Sequence, residues 1–198
     1  MAQPSNNKGA TKMKKYIGTL VAGMTLMAGF PLVGQAADKT TEATVTLEQD
    51  PENKDITLDE IPAVNFGTQK IINDSKTYDA TTVTNDLKVT NPGNTDGWSV
   101  QVRGTKFMAD QRELRGATLT FAKVDATADD TGNQSKATAN EVTINESDQA
   151  IMAATANEGI GKFTSKYATD KVSLLIPAGN AAGAYKSTLT WTLGNAPS

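Results

Sequence analysis

Along residues 189 to 193, LTWTL, apolar and polar side chains alternate without a break. In an extended strand this spacing puts Leu189, Trp191 and Leu193 on one face and Thr190 and Thr192 on the other, because successive side chains leave the backbone on opposite sides. WSVQVR at 98 to 103 repeats the pattern, with Trp98, Val100 and Val102 facing one way and Ser99, Gln101 and Arg103 the other. Both tryptophans thus travel with aliphatic neighbours. That parity predicts core elements of half-buried strands rather than surface stacking platforms. The last strand, from Tyr185 to Leu193, is expected to close the fold.

Similar runs, each bounded by turn residues, recur roughly every ten residues from Ile61 onward. They are AVNFG, DLKVT, GWSVQVRG, GATLTFAKV, NEVTIN, KVSLLIPAG and GAYKSTLTWTLG. No stretch sustains a helical period, and FMADQRELRG at 107 to 116 is read as at most a short turn of helix. The spacing predicts an all-β chain, an antiparallel β-sandwich of Ig-like architecture forming a single domain over 61–198. Residues 125–140, DATADDTGNQSKATAN, hold no large apolar side chain and are expected to form an exposed hairpin loop. Residues 38–60 read as a polar leader or edge strand, with Val45 and Leu47 alternating with threonines.

The N-terminal pattern is different. Met13, Lys14 and Lys15 form a cationic start, Tyr16 to Val33 is mostly apolar, and Gly34 to Ala37 supplies small residues suited to cleavage. Residues 1–37 are read as a secretory signal. Its removal would take away Lys8, Lys12, Lys14 and Lys15 and no acid, lowering the formal charge of −3 by four. An acidic mature chain disfavours nucleic acid as a partner and predicts no membrane span after processing. No sorting motif or lipid-accepting cysteine is apparent, so attachment to a cell is expected to be non-covalent.

Composition narrows the chemistry further. The chain has no cysteine and no histidine. Disulfides, Cys/His zinc sites and nucleophile pairs that need His or Cys are excluded, and no cofactor is expected. Paired carboxylates or a Ser/Lys dyad remain as routes to catalysis. Asp110 and Glu113 stand at helical spacing, and Asp125, Asp129 and Asp130 lie in the polar 125–140 segment, where they could hold at most a weakly bound calcium ion. Nothing near either group offers the apolar wall that raises a carboxyl pKa, so the chain is read as non-catalytic.

Taken in order, the internal GWSVQV, the C-terminal LTWTL, VNFG at 64–67, Tyr78 with DATT after it, LRGATLTF at 114–121 and SLLIPAG at 173–179 resemble the WxL domain of Gram-positive surface proteins. That family is named for two Trp-x-Leu motifs. The first motif departs from the pattern, with Val100 in place of leucine; both are apolar and suit a strand. The resemblance implies a secreted protein held on the cell surface through peptidoglycan or another wall glycan. Alternatively, it implies a module that binds a membrane-anchored surface protein. The motif residues Trp98, Val100, Trp191 and Leu193 serve as core or as wall contacts. Against an anionic wall, a basic patch would help. The candidates are Arg103, Lys106, Arg112 and Arg115 around the first motif, and Lys162, Lys166 and Lys171 further on.

Overall fold

Threonine, valine and leucine fill the alternating runs, and their branched or broad side chains favour the pleated backbone those runs adopt. The computed structural model describes residues 39–195, so the expected signal segment lies outside the described residues. The fold described below is that of the unit beginning at Thr46.

Three four-stranded sheets carry the domain, and every pairing in them is antiparallel. In one, Thr57–Glu60, Leu87–Asn91, Gly161–Ser165 and Ala126–Ala128 lie side by side. In the second, which holds both tryptophans, the order is Thr138–Ala139, Gln149–Ala154, Trp98–Gly104 and Leu189–Asn195. The third runs Val142–Thr143, Thr118–Phe121, Val172–Ile176 and Lys76–Asp79. A two-stranded sheet of Ala63–Asn65 with Thr82–Thr84 and a small hairpin of Met108–Ala109 with Arg112–Glu113 accompany them. The all-β, antiparallel expectation holds.

The alternation of apolar positions fixes which faces meet. Trp98, Val100, Val102, Ile151 and Met152 of the tryptophan sheet, Leu87, Val89 and Phe163 of the first, and Phe121, Val172 and Leu174 of the third form one buried cluster. Aromatic pairs tie the sheets together: Trp98 lies 6.2 Å from Phe163, and Phe121 meets Trp191 edge-on at 5.9 Å and Tyr167 at 5.2 Å. Such edge-to-face pairs add roughly 0.5–1.5 kcal/mol beyond area burial.

The two motif strands are direct neighbours. Val100 stands opposite Leu193, Val102 opposite Trp191 and Gly104 opposite Leu189. The two Trp-x-aliphatic motifs are therefore a single cross-strand patch, which stabilises the sheet through side chains in contact across the ladder.

Three expectations are corrected. Residues 107–116 form no helical turn: they make the hairpin Met108–Ala109/Arg112–Glu113, and Asp110 turns it at φ 53, a left-handed conformation aspartate tolerates. Residues 125–140 are not a free hairpin loop. Ala126–Ala128 pairs with the Gly161–Ser165 strand and Thr138–Ala139 with Gln149–Ala154. Between them, Asn133 Nδ2 donates to Ile160 O (2.8 Å), Ile160 N to Ser135 Oγ (2.9 Å), and Lys136 N to Glu158 Oε2 (2.6 Å). Hydrogen bonds here replace the apolar anchors that the segment lacks. Finally, the strand in the leader falls at Thr57–Glu60, paired with Leu87–Asn91, while Val45 and Leu47 lie unpaired and 84% and 90% exposed.

Candidate functional site

The last strand forms one wall of a groove of about 850 Å³. Leu189 and Trp191 contribute from that strand, Tyr185 from the segment leading into it, Phe107 from beside the short hairpin, and Phe66 and Tyr78 from the opposite side. Five aromatic rings thus converge on one concavity, interleaved with amide and hydroxyl groups of Asn65, Gln69, Asn180 and Ser187. Apolar clefts with a few convergent polar groups are the usual form of a ligand site.

The two tryptophans have different placements. Trp98 is fully buried, and its indole Nε1–H donates to the carbonyl oxygen of Gly159 at 2.9 Å. Trp191 is half-buried: it meets Phe121 on the core side and lines the groove on the other. Val100 is fully buried and Leu193 is half-buried against the core. The second tryptophan therefore joins core and groove wall in one side chain, an arrangement that face parity alone does not reveal.

Hydrogen bonds hold the groove's rims. Tyr78 Oη donates to Lys70 O (3.4 Å) and Gln69 Nε2 to Phe66 O (2.6 Å), fixing the 66–70 side. On the other side Tyr185 Oη donates to Ala181 O (2.9 Å), and Asn180 spans Arg115 and Pro177, its Oδ1 accepting from Arg115 N at 2.8 Å.

The candidate cations around the first motif are engaged. Arg103 pairs with Asp148 at 3.0 Å and Lys106 with Glu113 at 3.0 Å; the latter hydrogen bond raises the Lys106 ammonium above its ordinary pKa. Arg112 donates to Ala182 O (2.9 Å) and Arg115 to Gly179 O (3.1 Å). Both arginines therefore hold the 179–182 segment, which forms part of the groove wall. Their closest role is bracing the groove. Lys162 and Lys166 are exposed, and Lys171 lies 3.5 Å from Asp170.

Among the candidate carboxylates, Glu113, Asp129 and Asp130 are each engaged by a partner. The hairpin turn puts Asp110 at its tip, and Glu113 is taken by Lys106. Asp129 accepts the Thr164 hydroxyl at 2.6 Å and Asp130 the Gly132 amide at 2.8 Å. Among the described residues, no cluster of three or more acidic side chains could hold a metal ion, and no helix is long and apolar enough to cross a membrane.

A family model described as WxL domain, surface cell wall-binding, matches residues 31–197. The chain belongs to the WxL domain family. No curated protein and no solved structure matches it. In this WxL domain the paired motifs are adjacent strands, and the valine at position 100 fills a fully buried site beside Leu193 without breaking the ladder. The groove residues Phe66, Phe107 and Tyr185 are not recognisable as a set in the sequence, because they are scattered over about 120 positions and meet through the sheet topology. Their signal was faint: Phe66 and Tyr185 stand near the ends of the runs AVNFG and GAYKSTLTWTLG, and Phe107 stands outside any such run.

Proposed function

We propose that this surface protein is exported and attaches non-covalently to peptidoglycan or a related wall glycan, without catalysing its cleavage, and that the aromatic groove beside the last strand seats the glycan. The observation that carries this reading is the convergence of Trp191, Tyr185, Phe107, Tyr78 and Phe66 on one braced concavity in a domain of a wall-binding family. Aromatic faces stack on the apolar faces of sugar rings, and the rim amides offer partners for ring hydroxyls and N-acetyl groups. The domain's negative charge argues for such short-range contacts over bulk attraction to an anionic wall. Co-sedimentation of the mature protein with protein-stripped Gram-positive walls tests it. Replacing Phe66 and Tyr185 with alanine should release the protein into the supernatant while its thermal melt persists; undiminished sedimentation of that variant would remove the groove from the reading.

A second reading is a protein–protein module whose ligand is a membrane-anchored surface protein. The outer face of the last strand supports it, where Thr188, Thr190 and Thr192 are exposed in a flat, uncharged row. A pull-down from surface extract that returns glycan and no protein would count against it.

A further inference from the structure

Among the described residues, the strand Leu189–Asn195 has a neighbour, Trp98–Gly104, on one side only, and Thr57–Glu60 likewise pairs only with Leu87–Asn91. Each is the last strand of its sheet. Between them lies an open space of about 500 Å³, bordered by Leu58, Asp59, Glu60 and Ile61 on one side and Leu189, Thr190 and Trp191 on the other. Two unfinished sheet edges thus face one gap.

The hydrogen-bonding groups at this edge can be assigned. Thr188 O accepts from Thr105 N at 3.0 Å, and Thr188 N donates to Thr105 Oγ1 at 3.0 Å, so the backbone groups of Thr188 point toward the neighbouring strand. The register continues unbroken from Leu189↔Gly104 to Asn195↔Trp98. In an antiparallel ladder inward and outward residues alternate. Thr190 and Thr192 therefore bond inward, and the N–H and C=O groups of Leu189, Trp191 and Leu193 point outward at the free edge. Unpaired strand groups of this kind are a template for another chain.

The electrostatics select what could bind. The charged side chains bordering the gap are Asp59 and Glu60. Glu60 is neutralised by Lys88 at 3.1 Å. Among the described residues, Asp59 accepts hydroxyls alone, from Thr57 and Thr90 at 2.6 Å each, and no cationic side chain pairs with it.

We propose that this gap receives an extended segment of a partner protein as an added strand along Leu189–Leu193, with alternating aliphatic side chains toward Leu58, Ile61 and Trp191 and a lysine or arginine against Asp59. The proposal rests on the second reading above, in which a protein is the ligand; the gap adjoins the glycan groove, sharing Ile61, Leu189 and Trp191 with it, while Asp59 borders the gap alone.

A capped heptapeptide of alternating valine and lysine serves as the probe, and the same peptide with glutamate for lysine as the control. Titrated into the isotopically labelled mature domain, the lysine peptide should shift and protect the backbone amides of Leu189, Trp191 and Leu193, while the glutamate peptide leaves them unmoved. Asp59→Asn should weaken the lysine peptide by about tenfold and Asp59→Lys should reverse the preference; Asp59 is exposed, so both variants should melt as the parent does. Peptide binding that perturbs other amides, or that ignores Asp59, overturns the proposal. So does concentration-dependent dimerisation in the absence of peptide that protects the same amides, which would assign the edge to a second copy. The wall co-sedimentation of the Asp59 variants should equal that of the parent. A pull-down that returns no protein, beside positive peptide shifts, would sink the protein-ligand reading while leaving the edge competent. Absent peptide shifts beside a recovered partner would do the reverse.

Discussion

The indole N–H of Trp98 donates to the carbonyl oxygen of Gly159 over 2.9 Å, and a Cβ at that same glycine would lie 2.5 Å from the indole nitrogen and 2.2 Å from the Ala154 methyl. The glycine also sits at φ 68. Residue 159 therefore has to be glycine for two separate reasons, a left-handed backbone and a close approach that satisfies the polar atom of a fully buried ring. Burying an unpaired N–H costs about 1–3 kcal/mol, which this one carbonyl avoids.

Gly159→Ala should accordingly destabilise the domain by about 2–4 kcal/mol, combining strain at positive φ with displacement of the indole. Denaturant unfolding would measure it. An effect near zero would mean that the 157–160 turn moves freely and that Trp98 finds another acceptor.

Trp98→Phe keeps most of the buried apolar volume and removes the N–H, leaving the Gly159 carbonyl unpaired. A loss of about 1–3 kcal/mol is expected, against about 3–5 kcal/mol for Trp98→Ala, which also opens a cavity. Trp191→Ala should cost less than Trp98→Ala in stability, because its ring is half-buried, and more in wall binding, because it lines the groove. Paired chemical melts and wall co-sedimentation of the three variants separate these effects.

Arg112→Ala and Arg115→Ala remove the hydrogen bonds that hold Ala182 and Gly179. Both arginines are exposed, so each change should cost under about 1 kcal/mol of stability. Wall affinity should nevertheless fall, since the 179–182 wall loses its brace. Arg115→Lys should behave like the alanine variant if geometry matters and like the parent if only charge does, a contrast read from co-sedimentation at two salt concentrations.

The parity of the strand runs made much of this fold legible. It placed Trp98, Val100 and Val102 on one buried face and Leu189, Trp191 and Leu193 on another, and the structure sets those faces beside each other in register. How deep each residue lies was not legible. Parity says which way Trp191 points, whereas its half-exposure depends on Phe66, Tyr78 and Phe107, brought near by pairings between segments far apart in the chain. The Asp110–Glu113 spacing suggested a helical face because i and i+3 are neighbours on a helix, yet a left-handed Asp110 turns the chain back within two residues. In the 125–140 segment the absence of large apolar groups concealed anchoring by Asn133, Ser135 and Glu158, whose partners lie more than twenty residues on or back. Side chain to backbone bonds of that reach leave no periodic trace.

Among the described residues the final strand is bonded on one side only, but three of its side chains, Leu189, Trp191 and Leu193, pack against the core cluster. Deleting residues 189–198 should therefore uncover the Trp98–Gly104 strand and abolish the cooperative melt rather than merely weaken wall binding. Calorimetry of the truncated protein checks this; a retained two-state transition would show that the core is complete without its last strand.

The Tyr167 hydroxyl is buried and has no hydrogen-bond partner among the described residues, and burial pushes the phenol's pKa above its ordinary value of about 10. A neutral phenol is thus favoured in the folded state. The sign follows from proton linkage: below pH 10 both states hold the proton and stability is unaffected, whereas above it the unfolded chain releases the proton first and stability falls as pH rises. Tyr167→Phe retains the edge-on ring contact with Phe121 at 5.2 Å while deleting the unpaired hydroxyl. The variant should be as stable as the parent or more so at neutral pH, and the decline in stability above pH 10 should be shallower. Urea unfolding at pH 7 and pH 10.5 for both proteins measures the difference, and an equal decline in the two would mean that another group governs the alkaline limb.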